Sequence, residues 1–166
     1  MKIMGCILLI ISTTATGYYL SVVSKRRMRL FKDLALFVSN ISTGIRFSGT
    51  EITTLLMQES RNVNIPFINN VVSLLENGYS PEYSWEWAVN NMPFGYGLSK
   101  ADKSVINQFG CKLGATDVYG QTEHCEYFKN IFTVRSEALL NEYNSKCKVY
   151  RCIGIFSGMA LSLLIV

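Results

Sequence analysis

Both ends of this 166-residue chain are apolar and uncharged, and this feature constrains the fold more than any other. Residues 3–23 contain no charged side chain, and residues 152–166 contain none either. A helix needs about 20 predominantly apolar residues to span a bilayer. The sequence therefore predicts an N-terminal transmembrane helix at residues 1–23 and a C-terminal one at residues 152–166. Residues 24–151 remain as one helical domain between them.

Other interpretations of the two ends stay open. The first run also fits a cleaved signal peptide, because Lys2 and the apolar residues 3–11 are followed by a small-residue region near residues 14–17. The second run would extend only about 22 Å as a helix, less than the ~30 Å of a hydrocarbon core, so it also fits a buried core helix. We favour the membrane for both, because a basic border follows residue 23 and no charge follows Arg151.

Basic residues border both apolar runs on the side of the central domain. Because basic flanks stay in the cytoplasm, we predict a two-pass protein of the cell membrane with a cytoplasmic central domain. A nucleic-acid surface would instead need basic residues gathered along a folded face, so nucleic acid is excluded as a partner. The residues concerned are Lys25, Arg26, Arg27, Arg29 and Lys32 after the first run, and Lys146, Lys148 and Arg151 before the second.

Small residues recur at helical spacing within both predicted membrane helices. Gly154 and Gly158 are four residues apart, and Ser162 falls on the same helix face. Small residues at this spacing let two helices approach closely in a bilayer. Thr13 and Gly17 are the predicted counterparts in the first helix.

The residues between the two ends are predicted to be all-α. No Gly or Pro occurs from residue 18 to residue 43, so the first helix is predicted to continue to about residues 46–49. The last helix is predicted to begin near Thr116 or Asp117 and to run into the C-terminal segment. Caps, prolines and glycines delimit four short helices between these two, and residues 93–97 read as a loop. Thr50 is predicted to cap the first of the four, Ser80 with Pro81 to start the third, and Ser99 to cap the fourth, with Asp102 completing an imperfect capping box. Arg135 is predicted to lie on the inner face of the last helix. The fold predicted is a six-helix bundle in which the first and last helices form an antiparallel stalk.

No motif for catalysis, cofactor binding or metal binding occurs in the chain. The phosphate-binding and dinucleotide-binding glycine patterns are absent, and His124 is the only histidine. His124 and Cys125 are adjacent and would point about 100° apart on a helix, so they do not predict a nucleophile pair. We interpret His124 as a polar surface side chain, the five cysteines as free thiols, and Glu126 with Lys129 as a helix-face ion pair. We predict no cofactor.

Two tryptophans on the predicted fourth helix are the best residue-level signal of a contact surface. Trp85 and Trp87 are two residues apart and must face different directions on a helix. One is predicted to lie in the core, and Trp87 is taken as the exposed contact residue, because tryptophan is enriched at binding hot spots.

Several strings resemble one known family, in order and spacing, over essentially the whole chain. The chain resembles the stage III sporulation protein AB family of endospore-forming bacteria. The string at residues 107–117 is similar to the family's F-G-x-x-L-G-x-x-D pattern, and Gln121 follows it. The other carriers are residues 2–5, the basic border at residues 25–29, residues 47–52 and the ending at residues 154–166.

The resemblance implies a six-helix domain like that of the type II secretion F inner-membrane platform proteins. It also implies a role in the complex that links mother cell and forespore, with a cytoplasmic secretion-type ATPase and other membrane subunits as partners. Within the matching string, Gly110 and Gly114 are expected to permit close helix packing and Asp117 to cap the last helix. Asp117 and Gln121 are the candidate interaction residues. The middle of this chain is less charged than the family's, which puts a charge-based partner surface in doubt.

We therefore predict a non-enzymatic platform or adaptor subunit that docks the ATPase, either as a single copy or as an oligomer. The alternatives are a membrane-anchored sensor or regulator, and an enzyme with a carboxylate-based site. Two convergent carboxylates with shifted pKa values in a cleft would favour the enzyme.

Overall fold

The computed structural model describes residues 2–165, with side chains at residues 11–47 and 49–145. Six α-helices and one short 3₁₀-helix make up the described chain, and these residues form no strand. The predicted all-α class with six helices is therefore confirmed. The elements are α1 (Lys2–Ser48), α2 (Ile52–Ser60), α3 (Ile68–Glu76), α4 (Pro81–Asn90), η1 (Phe94–Tyr96), α5 (Lys100–Cys111) and α6 (Val118–Ile165).

The two long helices, α1 and α6, pack side by side in opposite directions. Arg27 of α1 and Arg135 of α6 bind the same carboxylate, and Phe31 packs on Phe132 with ring centroids 6.0 Å apart. Because both helices are continuous and rise about 1.5 Å per residue, this pairing continues along them. Ser21 of α1 is therefore level with about residue 142 of α6.

The short helices accompany only part of this antiparallel pair. Leu55 of α2 lies against Gly44, and the η1 loop reaches α1 near Val23, as the contacts of Gly44 and Gly97 show. Residues 11–22 of α1, which belong to the first predicted membrane helix, thus project beyond the bundle beside α6. Gly17 and Ser21 are the buried positions of this segment, and Thr13 is half-buried.

No helix in the described part of the chain combines the length and apolar character that a bilayer crossing requires. Residues 1–10 of the first predicted membrane helix, and all of the second at residues 152–166, lie outside the described side chains. Gly154, Gly158 and Ser162 also fall there. The membrane helices and their packing remain predictions.

Local sequence signals start and stop the short helices. Ser80 accepts a hydrogen bond from the Tyr83 N–H and Pro81 occupies the first helical position, as predicted for α4. Ser99 and Asp102 form a complete capping box at α5, although the sequence indicated only an imperfect one. The predicted cap Thr50 is wrong by one residue, since Glu51 precedes α2 and its side chain makes no cap bond.

Trp85 is the centre of the bundle core. Its indole N–H donates to the Ile106 carbonyl at 2.9 Å, and its ring meets Phe67 and Phe109 edge-on. Gly110 lies so close to the ring that an added Cβ would overlap it. The prediction that Gly110 permits close packing is confirmed.

Candidate functional site

The loops at one end of the bundle converge, and we call this region the turn end. It contains the α1–α2, α3–α4 and α5–α6 connections, opposite the end at which α1 begins and α6 ends. A cleft of about 260 Å³ opens between the three connections. Its lining includes Glu51, Ile52, Leu75, Pro81, Leu113 and Gly114.

The buried side chain of Gln121 stabilises the α5–α6 connection through hydrogen bonds. Its side-chain carbonyl accepts from the Gly114 N–H at 3.0 Å, and its amide donates to the Lys112 carbonyl at 3.2 Å and the Thr116 hydroxyl at 3.0 Å. The residue is only 2% exposed. Although the sequence marked Gln121 as a candidate interaction residue, its amide is engaged within the turn and positions its neighbours.

Gly114 is needed for its backbone conformation and not for close helix packing. Its φ is +89°, in the region that L side chains rarely adopt, and an added Cβ would meet only the tip of Ile52 at 3.6 Å. The prediction that Gly114 permits close helix packing is corrected accordingly. The residue lets the chain reverse tightly before α6.

Asp117 and its neighbours form the outer surface of the same connection. Asp117 Oδ1 accepts from the Gly120 N–H at 3.0 Å, which caps the α6 N-terminus as predicted. The residue is exposed, and Val118 and Tyr119 beside it are 58% and 71% exposed. Phe47, near the end of α1, is 81% exposed. The turn end therefore presents exposed apolar and aromatic side chains, together with the carboxylates of Glu51 and Asp117.

Trp87 lies away from this surface, on the flank of α4. It is 41% exposed while Trp85 is buried, so the predicted division between a core and an exposed tryptophan is observed. Tyr83 stands one helical turn before it, and Glu86 is exposed beside it. We call Tyr83, Glu86 and Trp87 the α4 ridge.

A buried ionic cluster joins α5 to both long helices. The Asp102 side chain is inaccessible to solvent, and its Oδ2 binds Arg27 Nη2 at 2.6 Å. Its Oδ1 accepts from Arg135 Nη2 at 2.9 Å and from Arg135 Nε at 3.1 Å. The backbone N–H and the hydroxyl of Ser99 also donate to Oδ2, each at 2.8 Å.

This cluster was not predicted, although two signals for it were present. The sequence paired Ser99 with Asp102 as a cap and put Arg135 on the inner face of α6. Burial alone would raise the pKa of the Asp102 carboxyl, but the hydrogen bonds from Ser99 and the two guanidinium groups outweigh it and lower the pKa. Asp102 is therefore a fixed negative charge at neutral pH.

An apolar groove lies beside the cluster, where α5 and α6 splay apart. Its volume is about 490 Å³. Arg135, whose side chain is 43% exposed, is a charged residue of its lining. We call it the α5–α6 groove; the lining includes Ala101, Val105, Tyr127, Ile131, Val134 and Ala138.

Comparison with known proteins identifies the family. The family model described as stage III sporulation protein AB matches residues 2–166. The chain belongs to this family. It is 23% identical to the stage III sporulation protein AB of Bacillus subtilis (strain 168), over 175 residues that cover 99% of each chain. No solved structure matches it.

Family membership gives the chain a sporulation-related role, and the family's name describes no reaction. The described residues include no group of three His, Cys, Asp or Glu side chains that could hold a metal ion. Burial raises the pKa of the Cys125 thiol to about 12, with a smaller effect from Glu126, so this thiol is not a thiolate near neutral pH.

His124 is not the surface side chain that the sequence indicated. Its ring stacks on Phe109 with centroids 5.6 Å apart, tilts against Phe128, and its Nε2 lies 3.0 Å from the Phe109 carbonyl oxygen. It is therefore a half-buried member of the aromatic core. The predicted Glu126–Lys129 ion pair is present at 3.3 Å.

Proposed function

We propose that this member of the stage III sporulation protein AB family is a non-enzymatic membrane platform subunit of a complex between mother cell and forespore. Its apolar ends join the membrane part of that complex, and its turn end docks a cytoplasmic secretion-type ATPase. The observation that carries the proposal is the exposed apolar surface of the turn end, formed by Phe47 near the end of α1 and by Val118 and Tyr119 at the start of α6.

The composition of the turn end suits a docking surface. Interfaces are enriched in aromatic side chains and depleted in charge at their centre, and a few anchors supply most of the binding energy. Tyr119 is the best anchor candidate, because it is largely exposed on a helix whose first turn is fixed by Asp117 and Gln121. A rigid support reduces the entropy lost on binding.

Co-purification of the full-length chain with the secretion-type ATPase tests the docking surface. The variant Tyr119→Asp adds a charge to the apolar surface of the turn end and should weaken co-purification by about 10-fold or more, the effect of losing one aromatic anchor. The matched control is Phe94→Asp, because Phe94 is fully exposed on the η1 loop, away from the turn end. Equal retention of the ATPase by both variants would reject the turn end as the docking surface.

A further inference from the structure

The α4 ridge and the α5–α6 groove lie on different flanks of helix α5. Ala101 and Val105 of α5 face the groove, whereas Asn107 and Cys111 line the space between α5 and α4, together with Glu86. These two sets of α5 residues point about 120° apart around the helix. The ridge and the groove are therefore separate surfaces, and both are available at once.

The two surfaces are complementary in shape and in apolar character. The groove is a concave apolar space of about 490 Å³. The ridge is convex and presents two aromatic side chains one helical turn apart, Tyr83 at 49% and Trp87 at 41% exposure. An aromatic helix face laid into an apolar groove is a recurrent mode of protein recognition.

Their charges are also complementary. Asp102 and Arg135 line the groove, and Arg27 also binds Asp102, so this cluster carries one positive charge in excess. On α4, Glu82 and Glu86 are both exposed and the helix has no basic side chain. Lys100 and Lys103 line the same space as Glu86, but neither glutamate forms an ion pair with another described side chain. A carboxylate brought to Arg135 would balance the excess charge of the groove.

We infer that the groove binds the α4 ridge of a second copy of this chain. Trp87 is the apolar anchor, Glu86 approaches Arg135, and Val134 lines the receiving wall. Because the two surfaces differ, the contact is heterologous, and each copy keeps a free ridge or a free groove for the next one. The inference does not depend on ATPase docking, which uses the turn end.

Photo-crosslinking of the full-length chain in detergent tests which segments meet. A benzoylphenylalanine placed at Val134, which is 65% exposed, should give a crosslinked dimer whose attached peptide falls within residues 79–91. The matched control is the same group at Thr133, an exposed neighbour that points about 100° away around α6. The control should give no such dimer. No dimer from position 134, or attachment outside residues 79–91, would overturn the inference.

A mixing experiment tests the heterologous geometry. Trp87→Asp and Val134→Asp should each weaken self-association by about 10-fold or more in sedimentation velocity, while Phe94→Asp should not. A mixture of the first two variants retains one intact ridge and one intact groove, so it should form a one-to-one dimer that neither variant forms alone. Failure of the mixture to dimerise would contradict the inference if both variants unfold at the wild-type denaturant midpoint. A variant with an altered midpoint is replaced by Trp87→Ala or Val134→Ser, with the same expectation.

Discussion

Replacement of Asp102 by asparagine should destabilise the bundle far more than an ordinary surface charge change. The substitution keeps the size of the side chain but removes the charge that Arg27 and Arg135 contact. Breaking a buried pair by removing one partner typically costs about 3–5 kcal/mol. Water can reach part of both arginines, whose side chains are 22% and 43% exposed, so we expect a loss of about 2–3 kcal/mol in the free energy of unfolding.

Urea unfolding of the full-length chain in mild detergent measures this loss. Fluorescence of the buried Trp85 reports the transition, and the loss corresponds to a midpoint lower by roughly 1–2 M. The matched control is Glu126→Gln, which removes the exposed Glu126–Lys129 pair and should cost no more than about 0.5 kcal/mol. A shift for Asp102→Asn no larger than that of the control would refute the view that the cluster holds α5 to the long helices.

The pH dependence of the unfolding free energy gives a second test of the role of Asp102. The pKa of Asp102 in the folded state lies below its ordinary value of 3.8, so the ionised carboxylate contributes its full stability above that value. That contribution is lost as the pH falls through the folded-state pKa. The difference in unfolding free energy between wild type and Asp102→Asn should therefore be constant from pH 7 to about pH 5 and shrink below pH 3.8. A difference that grows on acidification would contradict the assignment.

Three further predictions follow from the core and the turn end. Gly110→Ala should lower the free energy of unfolding by about 1–3 kcal/mol, because the new Cβ overlaps the Trp85 ring. Gly44→Ala should lower it by less, because the Cβ there meets only the flexible Leu55 side chain, at 2.6 Å. Gln121→Ala should lower the free energy of unfolding by about 1–3 kcal/mol and speed hydrogen exchange of the Gly114 amide, because that amide loses its acceptor. Unchanged exchange would argue against the role of Gln121 in the turn. Cys125, buried and with its pKa raised to about 12, should resist alkylation at pH 8 until the chain unfolds, while the partly exposed Cys111 reacts first.

The helices were predictable because their signals are local. The Ser80–Pro81 start, the long stretch without Gly or Pro through α1, and the Asp117 cap each act within a few residues. For the same reason, small errors occurred where a signal was ambiguous. Thr50 and Glu51 both precede α2, and the chain adopts helical geometry only after Glu51.

The candidate site was less predictable because its parts meet only through tertiary packing. Asp102 and Arg135 are 33 residues apart, and Arg27 comes from a third helix, so no sequence spacing links them. His124 looked like a surface residue because a single histidine carries no periodic signal, yet its ring covers Phe109. Gln121 was recognised as notable, but only the fold reveals that its amide faces inward.

Cysteine labelling in intact protoplasts tests the central claim most directly, since the turn end must face the cytoplasm to dock an ATPase there. In a Tyr119→Cys variant, a membrane-impermeant maleimide should leave the new thiol unmodified until the membrane is permeabilised. The exposed position then reacts quickly, because Tyr119 is 71% accessible. Rapid labelling of this cysteine in sealed protoplasts would place the turn end outside the cell and contradict the account.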